Sequence, residues 1–506
     1  MKVANPKLTL YAFHLRNNLA QGEDELVNNA NHLWEQCQQL GQKLHVPRLE
    51  SLMERLQKSN GKIGVSLSQE NSNYLELLKP DALLDFSAIY EGSTLQLRGE
   101  VYPLQIHDTY VVDITLRYPY SHVDVDQLEG LNPQGCLLPS QIKASLGQTL
   151  VFFAQPESQI QDIQGFANDC LAAILPKSNI EQFLRSPPTQ GTFLGSPILE
   201  YENNRDNPAE HCHILIWLNC HPQTETLEAA GDYYQYLINL LCCRAKIIYA
   251  YSESRWCNQK ARLLYRKLAA KAQVFRLLPS EPTSRLKQLK KWLTEIPIMA
   301  FEYANYLREL EIHRTTIETN SKNFNFWLNK LQSIMIKNRD DLSFLNQFIN
   351  YTQDKLVQQI NADLSYLLPS QQLFGQMIEA SRGIVETEQA ESDRNLQNTV
   401  AIVGVGLAAA AIGASVAPYV IPTEPRQPIL PPFSTHHFHP LTQSLLLSLV
   451  LGVTGAVLTQ GFIVLRQNRG AISGRLTQLI RGGSNKIAKL PGSTQQTLPQ
   501  SQKPKK

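Results

Sequence analysis

The chain has 506 residues, enough for two or three domains; 43% of them are hydrophobic and 18% are charged. A net charge of +2 gives no reason to expect a polyanion such as nucleic acid as a partner. Eight cysteines are scattered along the chain before residue 398, a pattern typical of reduced thiols in a cytosolic domain rather than of a disulfide framework.

Residues 1–150 are predicted to form a mixed α/β region. The segment "KLTLYAFHLR" predicts a strand, and "EDELVNNANHLWEQCQQLGQKL" predicts a helix. From 151 to 283, predicted strands alternate with predicted helices, which indicates an α/β layer with parallel strand pairs. We therefore expect an α/β cytoplasmic domain with a weak internal boundary near residue 150, where a β-rich part gives way to an alternating part.

A strand, "AKIIYAYS", is predicted at 245–252, followed by a basic helix. Ser252 or Ser254 could cap that helix, and the free N–H groups of a helix N-terminus attract anions. Arg255 adds positive charge at the same place. The pattern suggests an anion or nucleotide site at these three residues. A solvated helix face is the simpler alternative, because the chain has no glycine-rich phosphate loop of either common pattern.

The predicted strand "HCHILIWLNCH" carries His211 and His213 near its start and His221 at its end. The His-x-His spacing puts two imidazoles on one face of a strand, which is a usable arrangement for a metal ion. The two ends of the strand are about 20 Å apart and cannot share one ion. An ordinary buried strand is the interpretation that we favour.

Residues 284–398 are predicted to form long antiparallel coiled-coil helices. Within them, residues 298–368 contain no glycine and no proline, and the charged stretch at 337–341 predicts a turn between two arms. An apolar stripe with the 3.5-residue period of coiled coils runs along the first arm. The stripe consists of Tyr303, Leu307, Leu310, Ile317, Phe324, Leu328, Leu331 and Met335.

Two long apolar segments follow near the C-terminus. Residues 400–421 and 441–465 carry no charged side chain, and crossing the hydrocarbon core of a bilayer takes about 20 apolar residues. The tail, 467–506, is basic and contains no acidic residue, so the positive-inside rule places it in the cytoplasm. We expect a two-pass integral membrane protein with a transmembrane hairpin at 399–466 and both termini in the cytoplasm.

Three groups of residues near these spans suggest sites. A metal ion could bind in the proline-rich outer loop, for which a polar interfacial turn is the alternative; the candidate ligands are His436, His437 and His439. An acidic ring before the first span could line a cation entry in an oligomer, or form a solvated helix face; it consists of Glu386, Glu388, Glu391 and Asp393. Small residues in the first span allow close helix packing, within the chain or around a pore; they are Gly406, Ala409, Ala410 and Gly413.

The order of these segments resembles that of the CorA-type divalent-cation transporters. The likeness lies in the layout: an α/β cytoplasmic domain, long helices, two adjacent C-terminal spans, a short outer loop and a basic tail. Members of that family are pentamers whose first spans line the pore. The resemblance therefore implies a homo-oligomer in the lipid bilayer that passes a divalent cation. The family's Gly-Met-Asn motif is absent, and the corresponding place reads "GASVAPYVI".

The sequence leaves three functions open. The first is an ion channel or transporter of CorA-like layout, and the second is a non-conducting, membrane-anchored sensor or interaction scaffold. The third is a membrane-disrupting effector that a ligand triggers. No nucleophile elbow, HExxH motif or CxxC pair is present, so we expect no enzymatic activity.

Overall fold

The computed structural model describes most of the chain up to residue 389 and short parts of the two predicted spans. The described residues are 1–17, 25–79, 81–89, 96–119, 122–203, 205–275, 277–389, 404–412, 415, 446, 448–458, 460 and 461. The predicted outer loop, 422–440, and the basic tail, 467–506, lie outside them.

Twelve strands precede the long helices in the described part of the chain. They are β1 (Lys2–Leu15), β2 (Lys58–Ser59), β3 (Lys62–Ile63), β4 (Leu75–Glu76), β5 (Leu84–Ile89), β6 (Gln96–Ile106), β7 (Thr109–Arg117), β8 (His122–Asp124), β9 (Gly147–Pro156), β10 (Thr189–Phe193), β11 (Ser196–Glu202) and β12 (Cys212–Leu218). Ten of them form one mixed sheet in the order β10-β11-β12-β9-β1-β7-β6-β4, with β5 beside β6 and β8 beside β1. The strands β2 and β3 form a separate hairpin.

Eleven α-helices are described up to residue 389. They are α1 (His32–Lys43), α2 (Pro47–Glu50), α3 (Leu52–Arg55), α4 (Pro139–Ile142), α5 (Ile163–Ile174), α6 (Lys177–Phe183), α7 (Pro222–Ala230), α8 (Tyr234–Phe275), α9 (Pro282–Ser333), α10 (Ser343–Tyr351) and α11 (Gln358–Gln389). A π-helical segment, Thr352–Val357, joins α10 to α11. Two further helical stretches, 404–412 and 448–458, lie in the predicted spans.

The predicted α/β domain is confirmed, and its sheet includes one parallel pair, β9 with β12. The other described pairs within the sheet are antiparallel. The predicted boundary near residue 150 is wrong, because β9 runs through it and pairs with β1 on one side and β12 on the other. Residues 1–150 and the region that follows therefore share one sheet rather than forming two units.

Each face of the sheet buries its own apolar cluster. One face packs against α1 and α5 and includes Leu10, Trp34 and Phe166. The opposite face packs against the long helices and includes Trp217 and Ile238. Because successive side chains of a strand point to opposite faces, β12 has to supply apolar residues to both clusters. All seven of its residues are buried, which explains the unbroken apolar run in its sequence.

The helices α8, α9, α10 and α11 form a bundle, hereafter "the bundle". Phe275 stacks on Trp292 at one end of the α8–α9 pair, and Tyr236 stacks on Trp327 at the other. Between these two contacts the residue number rises along α8 and falls along α9, so the two helices are antiparallel. Tyr303 of α9 packs on Phe374 of α11, while Phe324 lies nearer the sheet and packs on Phe348 of α10. The last helix therefore runs away from the sheet, parallel to α8.

The sequence predicted the inner seam of α9 and the turn that follows it. Seven members of the predicted stripe, from Tyr303 to Leu331, are at most 5% exposed, and Met335 packs against the same cluster. The helix ends at Ser333 and the next begins at Ser343, which confirms the turn at 337–341. The predicted start at 284 is wrong, because helical structure already begins at Tyr234.

The described parts of the two predicted spans lie side by side. A Cβ added to Gly406 would lie 3.4 Å from the carbonyl oxygen of Gly452 and 3.7 Å from the Cβ of Ala456. A Cβ added to Gly455 would lie 3.1 Å from the Cβ of Ala409. Among the described residues, no helix combines the length and the apolar character needed to cross a bilayer. The predicted spans, 400–421 and 441–465, extend beyond those residues.

Candidate functional site at the sheet–bundle junction

Ionisable side chains are buried together where the sheet meets the bundle. Glu200 and Glu202 lie two residues apart on β11, so both point to the same face of the sheet. The neighbouring strand places His213 directly opposite Glu202 in the register. The fourth member, Arg244, comes from α8. We call these four residues the junction cluster.

The members of the junction cluster contact one another directly. Arg244 forms ion pairs with Glu202 and, at 3.5 Å between Nη2 and Oε1, with Glu200. The ring of His213 places Nε2 2.9 Å from Oε1 of Glu200. The Arg244 and His213 side chains are 4% and 2% exposed, and that of Glu200 is 11% exposed, whereas that of Glu202 is 27% exposed. Three members of the cluster are therefore shielded from solvent, so electrostatic interactions among them are strong, while Glu202 lies at the edge of the network.

The network keeps Glu200 ionised against the effect of burial. Burial alone would raise the pKa of Glu200, but the hydrogen bond and charge of His213 and the charge of Arg244 outweigh it, and the pKa falls to about 2. Thr189 also donates a hydrogen bond to this carboxylate, at 2.7 Å. Next to the cluster, burial lowers the pKa of His211 to about 4. The imidazole of His211 is therefore neutral at physiological pH.

Arg244 also connects the junction cluster to the start of the helix that leads away from the sheet. Its guanidinium lies 4.2 Å from the ring centroid of Phe348 on α10, a cation–π geometry. The Nε and Nη1 atoms are buried and have no hydrogen-bond partner in the described part of the chain. From α8, the Arg244 side chain thus contacts both β11, through ion pairs, and α10, through Phe348.

The donor set resembles a metal site at first sight. One ligand atom each from Glu200, Glu202 and His213 lie within 4.8 Å of one another, and carboxylate oxygens with imidazole nitrogen suit several divalent ions. However, the guanidinium of Arg244 already pairs with both carboxylates. A divalent ion there would face a fixed positive charge at close range. The arrangement fits a closed ion-pair network better than a metal centre.

No family model matches the chain, and neither a curated protein nor a solved structure matches it.

A second buried carboxyl also connects the sheet with α8. Asp113 on β7 accepts a hydrogen bond of 2.8 Å from the hydroxyl of Tyr234, the first residue of α8. Burial raises the pKa of Asp113 to about 7, although the hydrogen bonds from Tyr234 and Thr115 act in the opposite direction. This contact between the sheet and the bundle therefore changes its protonation state near neutral pH.

The predicted anion site at Ser252, Ser254 and Arg255 needs a correction. These residues lie in the middle of α8, where the predicted strand "AKIIYAYS" is helical instead, so no helix N-terminus is present. Ser254 is buried and donates to the carbonyl of Tyr251, and Ser252 donates to the carbonyl of Asp206. The side chain of Arg255 pairs with a buried aspartate, Asp363 of α11. The three residues hold helices and a loop together rather than facing a ligand.

The two ends of the "HCHILIWLNCH" segment make separate contacts. His213 belongs to the junction cluster, and Nε2 of His211 lies 3.8 Å from Oε2 of Glu202. At the other end, Nδ1 of His221 accepts a hydrogen bond from the backbone of Gln223 and caps α7.

The structure describes the other predicted site residues only in part. Glu386 pairs with Arg382 at 2.6 Å, and Glu388 lies in the last turn of α11. Gly406, Ala409 and Ala410 lie on the face that meets the second helical stretch of the same chain. The remaining residues lie outside the described part of the chain: Glu391, Asp393, Gly413, His436, His437 and His439.

Sequence reasoning missed Arg244, Glu200 and Glu202 as site residues. The strands carrying the acidic and histidine residues were predicted as "SPILEYEN" and "HCHILIWLNC". A Glu-x-Glu pattern on one strand and a His-x-His pattern on the next put four ionisable groups on two strand faces. The sequence does not show that these two strands are neighbours, and their pairing is what brings the groups together. Arg244 lies 42 positions after Glu202, and nothing in the sequence indicates that it is the counter-charge.

Proposed function

We propose that the protein is a two-pass membrane protein of CorA-like layout. In this proposal, the α/β domain acts on the apolar C-terminal helices through the bundle, and an oligomer of the chain forms a pathway for a divalent cation. The observation that carries the proposal is the course of the bundle. Its helix α10 contacts the junction cluster through Phe348, and α11, which follows α10, brings Arg382 close to Gly404 of the first predicted span.

The connection can be followed residue by residue. Arg244 lies on Phe348 of α10, and α10 continues through the π-helical segment into α11. With 32 residues, α11 is about 48 Å long. Near its end, Nη1 of Arg382 lies 3.7 Å from where a Cβ of Gly404 would be. In this proposal, a displacement at the sheet reaches the first predicted span along α10 and α11 and through the Arg382 side chain.

A second candidate is a non-conducting anchored sensor or scaffold, and one observation favours it. The small-residue face of the first span packs against Gly452 and Ala456 of the same chain, so it is not free to line a contact with another copy. The described stretch 404–412 also contains only glycine and apolar residues. A pathway between copies would have to use the opposite face of this helix.

Three measurements on the full chain in one preparation separate these functions. Resistance of the membrane-bound chain to carbonate extraction tests anchoring, and its mass in detergent tests oligomerisation. Entry of a divalent cation into liposomes, reported by an enclosed indicator, tests conduction. We expect an anchored oligomer that passes the cation but retains a larger enclosed dye. Release of the dye as well supports the membrane-disrupting effector.

A matched pair of variants links flux to helix packing. Gly406→Leu places a side chain against Gly452, whereas Ile412→Leu changes a 62% exposed residue without adding volume. We expect the first to abolish flux and the second to keep it. A monomer or dimer in detergent, or an oligomer without flux, contradicts the cation pathway and leaves the scaffold. A chain that carbonate extracts from the membrane contradicts both.

A further inference from the structure

We infer that the tip of the α8–α9 hairpin, residues 265–291, binds anionic lipid headgroups at the surface of the membrane that anchors the chain. This inference rests on the proposed membrane anchoring and adds a second, reversible contact with the same bilayer. Four features of the molecule support it: the place of the hairpin tip, its charge, its exposed apolar residues and the lack of an acidic partner segment of matching size.

The hairpin tip lies at the end of the bundle that faces away from the sheet. Phe275, the last residue of α8, packs on Trp292 of α9. Tyr303 of α9 packs on Phe374 of α11, and Trp292 and Val385 each lie 11 residues from that contact in the direction away from the sheet, which is about 16 Å along both helices. The hairpin tip and the end of α11 are therefore at the same level along the bundle, where Nη1 of Arg382 lies 3.7 Å from the position that a Cβ of Gly404 would take.

The hairpin tip is strongly basic. Residues 265–291 contain eight Lys or Arg and one acidic residue, Glu281. Two of the eight, Lys271 and Lys291, pair with Glu295 just beyond the tip. That carboxylate accepts a hydrogen bond from the backbone of Ser284 as the cap of α9. Lys267 and Lys287 are exposed. Basic clusters near the cytoplasmic surface of a membrane are attracted to anionic lipids over about one Debye length.

Exposed apolar side chains lie among these charges. Leu277 in the connection between the helices is 79% exposed, and Val274 in the last turn of α8 is 46% exposed. Apolar residues rimmed by Lys and Arg suit the boundary between headgroups and acyl chains, where the apolar part is buried and the charges remain among phosphates. An acidic soluble partner would satisfy the charges but would leave Leu277 in water.

The chain itself offers no acidic segment that matches the hairpin tip. The C-terminal tail from 466 to 506 carries nine Lys or Arg and no acidic residue, so it repels the tip. At the end of α11, the four acidic residues of 386–393 are outnumbered by the eight basic residues of the tip, and Glu386 already pairs with Arg382. The bilayer surface remains as the occupant that matches the charge and apolar character of the tip.

An environment-sensitive dye on the hairpin tip tests the inference in the full chain. The dye is attached through Leu277→Cys in a Cys220→Ser background, because the other seven native cysteines are buried. The labelled chain is reconstituted into vesicles of phosphatidylcholine alone and into vesicles that also contain phosphatidylserine. We expect the blue shift of a dye entering the headgroup region only with phosphatidylserine, and its loss at high salt.

Two triple variants make the test specific. The tip variant removes charge from the hairpin tip by three replacements: Lys267→Gln, Lys287→Gln and Lys290→Gln. Three lysines at the sheet end of the bundle are replaced in the control variant: Lys322→Gln, Lys330→Gln and Lys337→Gln. Each basic residue near an anionic surface contributes about fivefold to binding, so the tip variant should weaken docking about 100-fold and the control should not. Equal spectra in both vesicle types, or an unchanged spectrum in the tip variant, overturn the inference. Carbonate extraction of the same samples scores anchoring separately, so the two proposals fail in different measurements.

Discussion

Replacing Arg244 with methionine should be among the most destabilising single changes in the sheet–bundle junction. Methionine fills much of the volume, but Glu200 and Glu202 lose their shared positive charge. Removing one partner from a buried ion pair costs about 3–5 kcal/mol, because the remaining charge is left uncompensated. The pKa of Glu200 falls from 4.5 to about 2 in the folded chain, which corresponds to about 3 kcal/mol of stability at neutral pH. Because the hydrogen bond and charge of His213 contribute more to that shift than Arg244 does, this figure is an upper limit for the part that Glu200 loses with Arg244.

Urea unfolding of the full chain in detergent at pH 7, followed by tryptophan fluorescence, measures this cost. Arg98→Met serves as the control, because Arg98 is an exposed arginine on β6, and it should change the free energy of unfolding by less than about 0.5 kcal/mol. Adding Glu200→Gln and Glu202→Gln to the Arg244→Met chain removes the uncompensated charges and should recover most of the loss. A cost below about 1 kcal/mol for Arg244→Met, or no recovery in the triple variant, refutes the charge argument.

Four further predictions concern pH and packing. Because the folded pKa of Glu200 is depressed, its contribution is present above about pH 4.5 and is lost as the pH falls towards 2, so acid unfolding curves should be shallower in Glu200→Gln. Asp113 affects the pH dependence of stability in the opposite direction. Its pKa is raised to about 7, so it lowers stability as the pH rises from about 4 to 7. Asp113→Asn should remove that decline in thermal unfolding scans, and an unchanged decline contradicts the assignment. Leu310→Ala, at a fully buried seam position, should cost about 2–5 kcal/mol by urea unfolding; a cost near zero contradicts close packing of the seam. A methyl group at Gly99 would meet the ring of Phe86 at 2.0 Å, so Gly99→Ala should cost about 1–3 kcal/mol by the same assay, and a neutral effect shows that the ring moves freely.

The sequence was informative about the bundle where large apolar residues form the seam. Leu307, Leu310 and Ile317 repeat with a period that fits only a helix, and each is buried as predicted. The same logic failed for α8. Its buried positions between Ile247 and Leu268 follow the same alternation of three and four residues, but four of them are small: Ala250, Ser254, Cys257 and Ala261. Next to them, "IIYAY" has the composition of a strand, and tertiary packing overrode that local preference.

The junction cluster could not be predicted completely for a different reason. Which face Glu200 and His213 occupy follows from the two-residue period of a strand, but their contact depends on β11 and β12 being neighbours in register. That pairing is a long-range property of the sheet. Arg244 lies just before a segment that was predicted as a strand, so its true direction in space could not be inferred.

In the proposed two-pass membrane protein, the length of the bundle limits how the α/β domain can influence the membrane. From Arg244 to the end of α8 there are 31 residues, a distance of about 45 Å along the helix. Charges in physiological salt are screened over about 8 Å, so gaining or losing a proton at the junction changes no electric field at the bilayer. A rigid helix is different, because a tilt of about 5° at its base displaces its far end by about 4 Å. In that proposal, any change at the α/β domain can reach the membrane only as a mechanical displacement of the bundle.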